Sequence, residues 1–162
     1  MASTSSETLT IVPCGRRKIW GHNPNAPQLV PARAAYTGNA SVISRRYAER
    51  FGERWVILSA KHGLLLPNRR IRDYNVKLDR AGLAQLTKRL RRSNYLRRFR
   101  RIDVLGGRLY VEAVVGAVRG RGVTVRRLYP DGRRGWFDIQ DALVRALETG
   151  RPLKGTDVRV VP

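Results

Sequence analysis

Leu9-Thr10-Ile11-Val12-Pro13-Cys14-Gly15 is a short apolar, β-branched run closed by a proline and a glycine. Such a run fits a strand buried on both faces, with Pro13 and Gly15 supplying its stop. Trp55-Val56-Ile57-Leu58 repeats the pattern and enters Ser59-Ala60-Lys61-His62-Gly63, while Ile102-Asp103-Val104-Leu105 enters Gly106-Gly107. Val123-Thr124-Val125, after Arg121-Gly122, gives a fourth strand. Helical spacing fills the intervals. A helix is expected from about Asn39 to Phe51, with Ile43, Tyr47 and Phe51 on one face and Gly52 as its stop. A second runs from about Asp79 to Arg92 on Leu83, Leu86 and Leu90. A third follows Gly106-Gly107 with Tyr110, Val114 and Val118, and a last one carries Ile139, Ala142, Leu143, Ala146 and Leu147.

Strands alternating with helices predict an α/β fold of three layers: a mostly parallel four- or five-stranded sheet with helices on both faces. Pro24, Pro27 and Pro31 make residues 20–32 a loop, and Leu64-Leu65-Leu66 before Pro67 is a possible second buried segment. The organisation expected is a flexible tail over residues 1–8, one α/β domain over 9–150, and a C-terminal tail or edge strand over 151–162. Ligands of such sheets sit outside the carboxyl ends of the strands. The glycine-containing ends at Pro13-Cys14-Gly15, Ser59–Gly63 and Gly106-Gly107 should therefore share one rim and build the site.

Charge narrows the partner. The 162 residues hold 33 Lys and Arg against 12 Asp and Glu, a formal net charge of +21. A field of that sign suits a phosphate backbone, and DNA is favoured over RNA as the expected partner. A coding bias toward Arg explains part of the surplus, but it would leave the acidic count alone. No apolar run approaches the roughly 18 residues of a membrane span, and no basic helix has the aromatic and leucine face of a membrane-surface binder, so no membrane is expected. The polar start and the single cysteine, Cys14, point to a cytoplasmic protein without disulfides. Cysteine and two histidines give no metal-ligand spacing, and no cofactor motif is present, so neither metal nor cofactor is expected. Oligomeric state is not legible.

Lysine is rare, occurring only at positions 18, 61, 77, 88 and 154. Where Arg is the default cation, Lys18 is a candidate nucleophile, because an amine can attack carbon and a guanidinium cannot. A plain surface lysine is the bland alternative. Cys14, beside Arg16, Arg17 and Lys18, is a candidate nucleophile or ligand contact, or simply a small core residue. Gly15 lets the backbone approach a ligand. Ser59, Lys61 and His62 combine a hydroxyl, an amine and an imidazole at a strand end, with His62 suited to acid–base work. Tyr36-Thr37-Gly38 precedes the first helix, where Thr37 or Asn39 would cap it and bind an anion. Asp73 is a candidate acid–base partner or an Arg partner. Tyr36 or Tyr74 would stack a flipped base, and Arg16, Arg17, Arg69, Arg70, Arg72, Arg91 and Arg92 would grip phosphates.

Val12-Pro13-Cys14-Gly15-x-x-Lys18, Tyr36-Thr37-Gly38, Leu58-Ser59-Ala60-Lys61-His62-Gly63-Leu64-Leu65-x-Pro67, Tyr74 and Gly106-Gly107-x-x-Tyr110 together resemble an uncharacterised domain family of bacteria and phages. A stretch containing Gly135 extends the likeness, which runs roughly from Thr10 to Leu147. That family is grouped distantly with the YaaA-like DNA-binding proteins. It also resembles the catalytic core of archaeosine synthase, whose proline-cysteine-x-x-x-lysine segment matches Cys14 and Lys18; Gly15 replaces a serine of that segment. The resemblance implies either a glycosylase or base-exchange enzyme acting at the N-glycosidic bond of a nucleic acid, or a non-catalytic DNA-binding protein. An enzyme on free nucleotides is a third option, for which the charge is excessive.

Overall fold

The computed structural model describes residues 7–128 and 136–158. Its centre is a six-stranded sheet in the order β4-β3-β1-β6-β7-β8. β1 (Thr8–Pro13) lies between β3 (Arg54–Ser59) and β6 (Arg101–Val104), and β6 is followed outward by β7 (Thr124–Arg127), all four parallel. β4 (Gly63–Leu65) and β8 (Thr156–Val158) close the two edges antiparallel. The mostly parallel sheet covered on both faces is thus the architecture. It has six strands because Gly63 adopts φ +71 and folds the Leu64-Leu65 segment back onto β3, and because residues past 150 supply β8.

Side chains alternate across the sheet and fill two layers. Leu9 and Ile11 of β1, Val56 and Leu58 of β3, and Ile102 and Val104 of β6 face α3 (Arg80–Arg92) and α4 (Arg108–Val118). Leu86 and Leu90 of α3 and Val111 and Val114 of α4 complete that core. Gly116 lets the two helices approach closely, since a Cβ there would meet Thr87 Cγ2 at 2.8 Å. On the other face, α2 (Asn39–Phe51) and α5 (Trp136–Thr149) pack Ile43, Tyr47, Phe51 and Ile139 with Leu143 and Ala146. Asp103 also points to this side, buried and gripped by Arg126 through two 2.8 Å hydrogen bonds.

The proline-rich stretch expected as loop is only partly so. It holds a 3-10 turn at Ile19–Gly21 and a two-residue strand, β2 (Val30–Pro31), which runs into α1 (Ala32–Ala35) and pairs antiparallel with β5 (Arg70–Ile71). The Trp20 indole donates to the Pro27 carbonyl at 2.7 Å and ties the stretch together. Val30, Ala32, Ala35, Tyr36, Ile71 and Tyr74 form a third apolar cluster against Ile57 and Leu65. Of the N-terminal tail, Thr8 is already in β1 and Glu7 pairs with Arg54 at 3.1 Å; residues 1–6, the stretch with Gly135 and residues 159–162 lie outside the described residues.

Candidate active site at the strand ends

From β1 the chain moves to β3 on one side and later returns to β6 on the other, so its direction switches between β1 and β6. In an open parallel sheet that reversal leaves a crevice beyond the carboxyl ends. A cleft of about 470 Å³ opens there, lined by Cys14, Gly15, Arg16 and Lys18 after β1, by Tyr110 on the first turn of α4, and by Asn75, Val76, Lys77 and Leu78. The last four belong to a segment without regular structure that crosses the rim between β5 and α3. Among the described residues the lining includes three cations, Arg16, Lys18 and Lys77, and no carboxylate.

Beneath the cleft lies a chain of buried hydroxyls. Tyr36 and Tyr74 oxygens are 2.5 Å apart, and Tyr74 is 2.8 Å from Ser59 Oγ. Ser59 Oγ also accepts from the amides of Lys61 and His62, each at 3.2 Å. Ser59, Tyr74 and Tyr36 thus form one hydroxyl chain, anchored at Ser59 by the two backbone amides. Cys14 Sγ and the Tyr110 hydroxyl share a 3.3 Å hydrogen bond at the cleft wall. Burial holds Tyr36, Tyr74 and Tyr110 above the usual phenol value, so all three are protonated at neutral pH.

Three of the expected residues converge on the Tyr74 ring. Lys18 Nζ lies 4.5 Å from its centroid, Lys61 Nζ lies 5.5 Å away, and His62 meets it edge-on at 5.1 Å. Cations over an aromatic face are held by its quadrupole, which orients both amines without a carboxylate. Lys18 is further fixed by a backbone bridge to Tyr36. His62 titrates below its ordinary 6.5, first because it is desolvated and then because Lys61, Arg69 and Arg89 repel a proton. Its Nε2 is buried with no hydrogen-bond partner among the described residues.

The rim thus brings together Cys14, Gly15, Lys18, Tyr36, Ser59, Lys61, His62, Tyr74, Gly106 and Gly107, with Gly106 packed against Pro13 and Tyr110. Several expected roles change. Tyr36 is 3% exposed and Tyr74 9%, so neither ring is free to stack a base. Gly38, not Thr37 or Asn39, is the N-cap of α2; Thr37 instead bonds His22 at 2.9 Å. Asp73 is exposed and outside the cleft lining. Arg91 is committed to structure, donating to the carbonyls of Gly116 and Arg119 at 3.4 and 3.2 Å at the end of α4. Arg72 bonds Gln28 at 3.1 Å, while Arg16, Arg17, Arg69, Arg70 and Arg92 have exposed or half-buried side chains. The wall residues Asn75, Val76 and Leu78 had no pattern to announce them. Lys77 did, as another of the scarce lysines. Among the described residues no three His, Cys, Asp or Glu converge to hold a metal, and no helix is long and apolar enough to cross a membrane.

Residues 10–131 match a family of unknown function, DUF6884. The uncharacterized protein YfjM of Bacillus subtilis (strain 168) is 38% identical over 117 residues, covering 69% of this chain and 77% of that protein. No solved structure matches.

Proposed function

The chain belongs to the DUF6884 family of unknown function, and we propose that it binds a nucleic acid across the carboxyl-end rim and acts on one nucleotide in the cleft, breaking or exchanging its N-glycosidic bond. The observation that carries this reading is the cleft at the switch between β1 and β6, where Lys18 and Cys14 share a wall with the cations Arg16 and Lys77. Such a lining favours a phosphate-bearing ligand, and Arg16 and Lys77 are placed to hold one. The volume of about 470 Å³ is in the range of small-ligand pockets and suits one unpaired unit of a polymer rather than a duplex. Exposed Val76 supplies an apolar surface for the base in place of the buried tyrosines.

In the proposed step the Lys18 ammonium first gives a proton to water, and its Nζ then attacks the sugar C1′. The C1′–N bond breaks, its electron pair leaves with the base, and the base takes up a proton. Cys14 and Tyr110, joined at the wall, are the nearby protic groups. The Lys18 adduct loses a proton from Nζ and opens its sugar ring to an imine, from which water, or a second base adding at C1′, releases the sugar. The likeness of Cys14 and Lys18 to the archaeosine synthase segment supports this assignment.

A second reading, a non-catalytic DNA-binding protein of the YaaA-like type, is favoured by one observation: among the described residues the cleft lining holds no carboxylate for acid–base work, and Asp73 stands outside it. Incubation with single-stranded, duplex and modified-base oligonucleotides separates the two. The enzyme reading expects free base or abasic sites from the native protein and none from Lys18→Ala, with binding retained. Binding without product from every substrate rejects it in favour of the second.

A further inference from the structure

The pole of the sheet opposite the cleft carries a second concentration of charge with a different character. Arg101 pairs with Thr8 at the first residue of β1, and the amide of Thr124 at the start of β7 donates to the Arg100 carbonyl, so residues 97–101 lie at the amino end. Five strand steps along β1 put that end about 17 Å from Pro13 and the cleft. The C-termini of α3 and α4 meet at the same pole through Arg91, and Arg121 donates back to the Arg91 carbonyl at 3.1 Å.

Accounting for the cations of α3, α4 and the turns that follow them isolates a subset. No Asp or Glu occurs in residues 80–102 or 113–128. Arg80 is paired with Glu112, Arg89 with the Lys61 carbonyl, Arg91 with the end of α4, and Arg101 and Arg126 with Asp103. Lys88, Arg92, Arg97, Arg98, Arg100 and Arg119 are exposed and face no carboxylate within 4 Å among the described residues. Asn94, at φ 57, turns the chain sharply between α3 and the 3-10 turn Leu96–Arg98. Concentrating like charges costs folding free energy, and an external polyanion relieves it.

We propose that this pole is a docking face for the phosphate backbone of a nucleic-acid duplex, separate from the cleft. Guanidinium groups on short, fixed turns suit bidentate phosphate contacts. A single strand would be gripped by exposed aromatic platforms, but Phe99 is buried and Tyr95 is packed between Phe99 and Arg98. An anionic membrane would be met by an apolar face, and the exposed large hydrophobic residues among the described residues, Leu29, Leu66 and Val76, all lie elsewhere. The chain then holds duplex at one end while the cleft takes an unpaired nucleotide at the other.

Fluorescence anisotropy with a 24-bp duplex, as a function of salt, tests this in the full chain. The variant Arg97→Gln/Arg98→Gln/Arg100→Gln should bind about 10- to 100-fold more weakly at low salt, with a log–log salt slope shallower by about 2.7, three lost contacts at about 0.9 each. Lys88→Gln/Arg92→Gln/Arg119→Gln should do the same and guards against a folding defect in the first set. Arg46→Gln/Arg145→Gln/Lys154→Gln removes equal charge from the α2 and α5 side and should change affinity less than about threefold. Equal losses from all three sets, or none from the first two, overturn the proposal. So does binding of vesicles rich in anionic lipid as tightly as duplex, abolished by the same pole variants. Duplex anisotropy requires no turnover, so failure of the cleft chemistry is read separately from failure of this proposal.

Discussion

Gly15 and Ser41 meet at the point where the β1 loop crosses the start of α2, and both are explained by that contact. A Cβ on Gly15 would lie 2.3 Å from Ser41 Oγ but 3.5 Å from its Cβ. Gly15→Ala should therefore destabilise by about 1–3 kcal/mol, and adding Ser41→Ala should recover most of the loss in a chemical-denaturation cycle. Two independent costs would show that the loop does not pack on α2 this closely. His62 gives a pH dependence of definite sign. Its folded value lies below the ordinary 6.5, so above that pH both states are neutral and it contributes no slope. As pH falls below 6.5 the unfolded chain takes up the proton first, and stability drops until the folded value is passed. Urea unfolding at pH 7.5, 6 and 5 should show this loss, and His62→Gln should reduce it; an unchanged slope would remove His62 from its cause. Sequence made Lys18, Lys61 and Cys14 visible because scarce residue types stood at strand ends. Tyr110 was legible as a helix-face residue and as part of the Gly106-Gly107-x-x-Tyr110 motif but not as a cleft wall, since period alone does not separate a first-turn residue facing a cleft from one facing the sheet.

At the scale of elements, the strands and long helices were readable because continuous apolar runs and 3.6-residue spacing are strong signals. β2 and β5 were not, as two residues hold no period, and β2 ends in a proline that reads as a breaker. What orders that ribbon is tertiary: Val30 and Ile71 bury themselves against Tyr36 and Tyr74. The join of β6 and β7 rests on a polar pair instead. Asp103 is 6% exposed and receives Arg126 bidentately, so Arg126→Met, which leaves the carboxylate buried without that partner, should cost about 3 kcal/mol. Asp103→Leu/Arg126→Met should be far milder. A cost near zero for the single change, measured by urea unfolding, would mean that Arg101 alone supports the buried charge.

For the whole molecule, charge and topology carry different information. A net charge of +21 says that the chain repels itself, so its melting temperature should rise between 50 and 500 mM salt while nucleic-acid affinity falls. A melting temperature that falls with salt would mean that ion pairs outweigh repulsion. Topology places the cleft where the sheet reverses direction, and the cleft in turn gives the scarce lysines their meaning: Lys18 and Lys77 line it and Lys61 stands beside it over Tyr74. The most direct measurement is to trap the proposed intermediate with borohydride on a base-containing oligonucleotide and locate the sugar adduct by peptide mass spectrometry. The account predicts a covalent adduct on Lys18 that is absent from Lys18→Ala. An adduct on Lys61 or another lysine, or none from any substrate that binds, would contradict it.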